Sequence, residues 1–204
     1  MNKKYITKSR KPFFQIACDL IRPDDRVLDI GPGNGNFADQ CGRDDIYFFE
    51  GNFKSAENLK NRFRNVEFGR LPALPYDREF FSLIHLSHVV EHLTPEILYD
   101  TLKEIDRCCA PDGVIVISAP LLSDSFYDDL SHVKPYNPAV FIKYLCNGDG
   151  FNLTREMISD QYAMEKLEYR LKERILFQGL KNSRSFFAKS FYRLYTLLRK
   201  NGFS

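Results

Sequence analysis

Short apolar runs bounded by turn residues alternate with stretches of helical period along most of the chain. The pattern predicts a helix from about Pro12 to Ile21, then a buried strand Arg26–Ile30 that ends in Gly31-Pro32-Gly33-Asn34-Gly35. A second strand reads Ile46–Glu50, with a helix Phe53–Phe63 behind it, and Val66–Phe68 is a short third strand. Phe80–Leu86 reads as the fourth strand, Thr94–Cys109 as a helix, and Gly113–Ser118 as the fifth strand after a Pro-Asp-Gly turn. A loop without periodicity spans about 119–136, and Pro138 opens a helix to Leu145. Phe151–Ile158 is a candidate sixth strand. Beyond it Met164, Leu167, Leu171 and Ile175 recur at helical spacing. Strands alternating with helices predict an α/β fold: a doubly wound, mostly parallel sheet of six or seven strands with helices on both faces.

The last stretch changes character. Phe187, Phe191, Leu194 and Leu198 share one side of a helical wheel, and Lys189, Arg193 and Lys200 the other. Residues 181–204 carry six basic side chains and no acid, which leaves 23 basic against 27 acidic residues in the rest of the chain. The expected organisation is one α/β domain over 1–180 and a basic amphipathic helix over 181–204. That helix either docks on the acidic body or meets a peripheral membrane surface or a protein partner.

Composition excludes several classes. With 44% hydrophobic and 27% charged residues, the chain is neither disordered nor fibrous. A net charge of +2 gives no bulk argument for a nucleic-acid partner. No apolar run approaches the ~20 residues of a membrane span. Five cysteines without a CxxC pair point away from a disulfide framework and toward a reducing cytoplasm, including the inner face of a membrane if the tail binds one.

The stretch Val27-Leu28-Asp29-Ile30-Gly31-Pro32-Gly33-Asn34-Gly35-Asn36-Phe37 carries the most chemistry. Alternating glycines at the carboxyl end of a first strand let the backbone turn and approach a ligand. Their spacing is GxGxG, and position 36 is Asn where a dinucleotide loop has its third glycine, so the loop suits an adenosyl ligand without a pyrophosphate. Glu50, fifteen residues after Gly35, ends the second strand where a carboxylate can accept both ribose hydroxyls.

In these blocks, and in Leu83–Leu93 and Leu102–Val114, the chain resembles the class I S-adenosylmethionine-dependent methyltransferases over about residues 12–158. Through the loop at 127–136 it also resembles that family's glycan and lipid-linked-sugar O-methyltransferases. The resemblance implies S-adenosyl-L-methionine as cofactor. It places Asp29, Gly31, Pro32, Gly33, Gly35 and Phe37 around the methionine end, and Glu50 and Gly51 at the ribose. Ser87 and His88 would close the site, and the adenine contact would fall to the backbone around Arg70 and Leu71, where the family usually has an acid.

Three of the four histidines lie within eight residues, and His88, Glu91 and His92 read H-x-x-E-H. That spacing also marks a zinc-protease helix, but here it directly follows a buried strand. Small-RNA 2′-O-methyltransferases and ubiquinone-biosynthesis O-methyltransferases carry a similar E-x-x-E-H that holds a divalent metal. Two readings stay open. Either His88, Glu91, His92 and a distant His132 hold a metal, or His132 is a general base with Glu91 and His92 near the pocket. His132 lies in Tyr127-Asp128-Asp129-Leu130-Ser131-His132-Val133-Lys134-Pro135-Tyr136, which resembles a substrate-side loop. His85, inside a strand, reads as a core residue. The expected activity is O-methylation of a sugar hydroxyl in a cell-surface glycan or its precursor. A methyltransferase for another small molecule and a non-catalytic adenosyl-binding scaffold are the alternatives.

Overall fold

The computed structural model describes residues 9–123, 125–146, 154–171 and 191–200. Among the described residues are five α-helices: α1 (Lys11–Cys18), α2 (Asn36–Cys41), α3 (Phe53–Lys60), α4 (Pro95–Cys108) and α5 (Pro138–Leu145). The strands are β1 (Val27–Ile30), β2 (Tyr47–Glu50), β3 (Val66–Phe68), β4 (Phe81–Ser87), β5 (Cys109–Pro120), β6 (Tyr162–Leu171) and β7 (Phe191–Lys200). They form one sheet in the order β3-β2-β1-β4-β5-β7-β6. The first five are parallel, and β7 runs antiparallel between β5 and β6.

Side-chain alternation along the strands splits the core into two faces. Leu28 and Ile30 of β1, with Ile84 and Leu86 of β4, pack with Leu98, Leu102, Ile105 and Phe141 of α4 and α5. Val27, Phe48 and Leu83 point the other way, onto Phe14 of α1, Phe37 of α2 and Leu59 of α3. Local signals place the helix starts. Asn52 Oδ1 accepts the Ser55 N–H (3.0 Å) ahead of α3, and Thr94 precedes Pro95 at the start of α4.

The C-terminal part corrects the sequence reading. Residues 154–158 of the expected sixth strand are not a strand, and 151–153 lie outside the described residues. The sixth strand is instead β6, the segment read as helical. Within 181–204, residues 191–200 are not a helix but strand β7. Leu198 is fully buried in the core, and Lys200 is 5% exposed. The Lys200 ammonium donates to the carbonyls of Asp106 (3.0 Å) and Cys109 (3.3 Å). Of the two expectations for this segment, docking on the body is the one its described part follows, as a strand. Positions 181–190 and 201–204 lie outside the described residues.

A disulfide also joins Cys18 and Cys41, contrary to the expectation from cysteine spacing. The pair has no sequence signature because α1 and α2 bring it together across 23 residues. Cys108, Cys109 and Cys146 are free and buried. Among the described residues no helix is long and apolar enough to cross a membrane.

Candidate active site

A cavity of about 470 Å³ opens at the carboxyl ends of β1, β2 and β4. The glycine loop forms one wall. Gly31, Gly33 and Gly35 all have positive φ, which an L side chain rarely adopts. A Cβ at Gly31 would lie 2.5 Å from Val89, so the turn packs directly on the segment after β4. A Cβ at Gly33 would meet nothing within 4 Å. Glu50 is 8% exposed and ties the loop to β2: its carboxylate accepts N–H bonds from Asn52 (2.8 Å) and Gly33 (3.2 Å). Each oxygen keeps a lone pair for a ligand.

Of the sequence-predicted residues, Gly31, Gly33, Glu50, Gly51, Arg70, Leu71, His88 and His92 line this cavity. Asp29, Pro32, Gly35, Phe37, Ser87, Glu91 and His132 do not. Asp29 alternates with Leu28 and Ile30, so it faces α1 and α2. There its carboxylate is 2% exposed and 2.7 Å from His85 Nδ1. Phe37 stacks on the His85 ring at 4.0 Å between centroids. His85 is the core residue its position in a strand implied, and this pair supports the loop from below. Ser87 Oγ accepts a hydrogen bond from Ser118 Oγ (2.9 Å). The sequence reading missed Ser55, Val89 and Leu93 on the cavity wall. Val89 lies inside the histidine motif and Leu93 directly follows it, so the motif was itself the signal for them.

The loop after β5 folds back onto the turn after β4. Val133 N–H donates to the Glu91 carbonyl (2.8 Å), and Tyr136 Oη–H donates to the Leu93 carbonyl (2.9 Å). Burial pushes the Tyr136 phenol up to about 12, so it remains that donor. Asp129 accepts from the Ser131 amide (2.9 Å) and hydroxyl (2.6 Å), which holds its carboxyl below the ordinary range. This docking brings His132 to His92, with ring centroids 5.0 Å apart.

The histidine tautomers follow from their partners. His92 Nδ1 lies 3.0 Å from the Ser131 carbonyl, and His132 Nδ1 lies 2.6 Å from the Phe126 carbonyl. A carbonyl only accepts, so both Nδ1 atoms carry hydrogen, and in the neutral rings both Nε2 atoms carry lone pairs. Donor atoms of Glu91, His92 and His132 lie within 4.8 Å of one another. Glu91 is fully buried, and its Oε2 has no hydrogen-bond partner. His88 is not in this group. Its backbone has φ +62°, and its Nδ1 meets Glu91 Oε1 at 2.9 Å.

Solved structures share this architecture. A SAM-dependent methyltransferase from Archaeoglobus fulgidus is 21% identical with a TM-score of 0.68, and 97% of each chain is covered. One from Aquifex aeolicus is 14% identical with a TM-score of 0.58, covering 97% of this chain and 96% of that one. The [4+2]-cyclase SpnF is 10% identical with a TM-score of 0.64, covering 95% and 81%. These likenesses establish the fold alone, and the cyclase shows that the fold does not fix the reaction. No curated protein matches in sequence. The family profile described as "Methyltransferase domain" matches residues 3–182. The chain therefore belongs to the methyltransferase domain family, on the fold of solved SAM-dependent methyltransferases.

Proposed function

We propose that this protein transfers a methyl group from S-adenosylmethionine to a hydroxyl, on a sugar of a glycan or of its lipid-linked precursor. The observation that carries the reading is the cavity itself. It combines open space over Gly33 and a carboxylate at the end of β2 with His92 on its wall, whose ring centroid lies 5.0 Å from that of His132. These residues fit an adenosyl ligand: Gly33 permits close approach, Glu50 is placed for ribose hydroxyls, and the backbone of Gly69 to Leu71 is placed for adenine. When bound, the cofactor supplies an electrophilic methyl on a sulfonium. That chemistry would be displacement at the methyl carbon by the acceptor oxygen, with the carbon–sulfur electron pair left on sulfur. His132 Nε2 takes the hydroxyl proton, while the Phe126 carbonyl keeps the ring in that tautomer. Holding hydroxyl and methyl in line supplies much of the rate. The choice of a sugar rests on the likeness of the loop after β5 to a substrate-side loop.

A second reading of the same histidines has its own observations, a buried Glu91 Oε2 without a hydrogen-bond partner and donor atoms of Glu91, His92 and His132 within 4.8 Å of one another. Glu91, His92 and His132 suit a divalent cation, with the Ser131 and Phe126 carbonyls orienting the rings. The ion would lower the hydroxyl pKa of a chelated diol.

Transfer of labelled methyl to a panel of sugars and lipid-linked sugars tests both. The general-base reading expects activity indifferent to chelator and reduced about 10²- to 10⁴-fold in His132→Ala. The metal reading expects loss with chelator and recovery with Mg²⁺, Mn²⁺ or Zn²⁺. Cofactor binding without methyl transfer to any acceptor would favour a scaffold and contradict both.

A further inference from the structure

His88 also lines a second, much smaller cavity. It holds about 10 Å³ and is bounded by Arg10, Phe13, Ser87, His88, Ser118 and Arg170. That volume admits roughly one water-sized group. Its walls are unusual for so small a space, because two of its residues are arginines from distant parts of the chain. Arg10 immediately precedes α1, and Arg170 lies near the end of β6. Arg170 is 8% exposed, and its Nε and Nη1 have no hydrogen-bond partner.

A guanidinium does not lose its charge in a protein, so a buried one needs partners for its N–H groups and a counter-charge. Arg170 has neither in full. Burial and the positive charge of Arg10 both press its pKa down. Arg10 is lowered by burial and raised by the Glu91 carboxylate. Glu91 is thus the acid that acts on Arg10, and one of its oxygens already meets His88. Two cations against one carboxylate leave a surplus of one positive charge. A water would satisfy an N–H group but would leave that charge unbalanced. One anionic oxygen would do both.

We propose that Arg10 and Arg170 form an oxyanion site that receives a carboxylate or phosphate oxygen of a ligand bound beside His88. This rests on the methyltransferase reading for what occupies the neighbouring cavity, since His88 lines both spaces. Two sources supply that chemistry. One is an acidic methyl acceptor, which the position of Arg170 favours, because no β6 residue lines the larger cavity. The other is the carboxylate at the methionine end of the cofactor.

Calorimetric titration of the full chain and of Arg170→Gln, with S-adenosylhomocysteine, 5′-methylthioadenosine and D-glucuronate, distinguishes them. Loss of a charged hydrogen bond should weaken the relevant probe roughly tenfold or more. If S-adenosylhomocysteine weakens while methylthioadenosine, which lacks the carboxylate, does not, the site serves the cofactor. If both nucleosides are unaffected and D-glucuronate binds the S-adenosylhomocysteine-loaded wild type but not the variant, it serves an acidic acceptor. Arg10→Gln, at an exposed position, should repeat either result and guards against misfolding of the Arg170 variant. If neither nucleoside binds the wild type, the cofactor reading fails by itself. Thermal shifts with inorganic phosphate and acetate then decide the oxyanion site: stabilisation that Arg170→Gln abolishes supports it, and none overturns it. Identical binding of every probe by wild type and both variants also overturns it.

Discussion

The first five strands and the last two are held in one sheet but are written in different ways. β1, β2, β4 and β5 are apolar runs each followed in sequence by a helix, α2, α3, α4 and α5 in turn, and these helices cover the two faces of the parallel part of the sheet. The parallel order therefore follows from local pattern. The β6–β7 pair lacks that pattern. Glu165, Lys166 and Glu168 interrupt Met164 and Leu167, and these are helix-favouring residues at helical spacing. Their strand state comes from antiparallel pairing with β7, and the charges suit a strand at the sheet's edge. Phe191, Tyr192, Tyr195 and Thr196 gave a β-propensity signal in the last strand, which the apparent helical wheel obscured. Periodicity is decisive where an element buries one face against a neighbour in sequence. It misleads where the partner is distant.

The sharpest way to break this comparison is to remove equivalent core side chains from the two regions. Leu28 in β1 and Leu198 in β7 are both fully buried. Leu198→Ala should cost about 2–5 kcal/mol, as Leu28→Ala should, by denaturant unfolding. A Leu198→Ala cost within ±0.5 kcal/mol, typical of a surface position, would detach β7 from the core. Next in size is the cross-link between α1 and α2. Cys41→Ser should lower the stability of the oxidised protein by about 3 kcal/mol, and reductant should lower the wild type but not the variant. An unchanged midpoint in both cases would mean the bond does not form.

A smaller effect belongs to α4. The Arg107 guanidinium, 2.7 Å from the Glu104 carboxylate, is the main cause holding that carboxyl below its ordinary range, and the Leu74 N–H adds to it. A depressed carboxyl stabilises the fold above its unfolded pKa of about 4.3, and that contribution is lost as pH falls through the lower folded value. Glu104→Gln should therefore be less stable than wild type at neutral pH, by about 1 kcal/mol or less, and the two should converge in acid. Melting curves across that range check the sign.

The site was legible to the extent that it is made of backbone. Gly31, Gly33 and Glu50 stand on the cavity wall because the end of a strand fixes where they point. Asp29 and Phe37 sit in the same motif but alternate to the opposite face, and a motif read as a string does not show which face each residue takes. The meeting of His92 with His132 depended on the loop after β5 docking through Val133 and Tyr136, which no local pattern announces. Arg10 and Arg170, 160 positions apart, left no sequence signal at all.

The central claim is that the glycine loop and Glu50 hold an adenosyl ligand. Isothermal titration of the full chain with S-adenosylhomocysteine, beside Glu50→Ala, tests it most directly. Binding that weakens in the variant by about 1.5–3 kcal/mol, roughly ten- to a hundredfold, is the result expected for a charged carboxylate accepting ribose hydroxyls. No binding by the wild type, or equal affinity in both proteins, would contradict it.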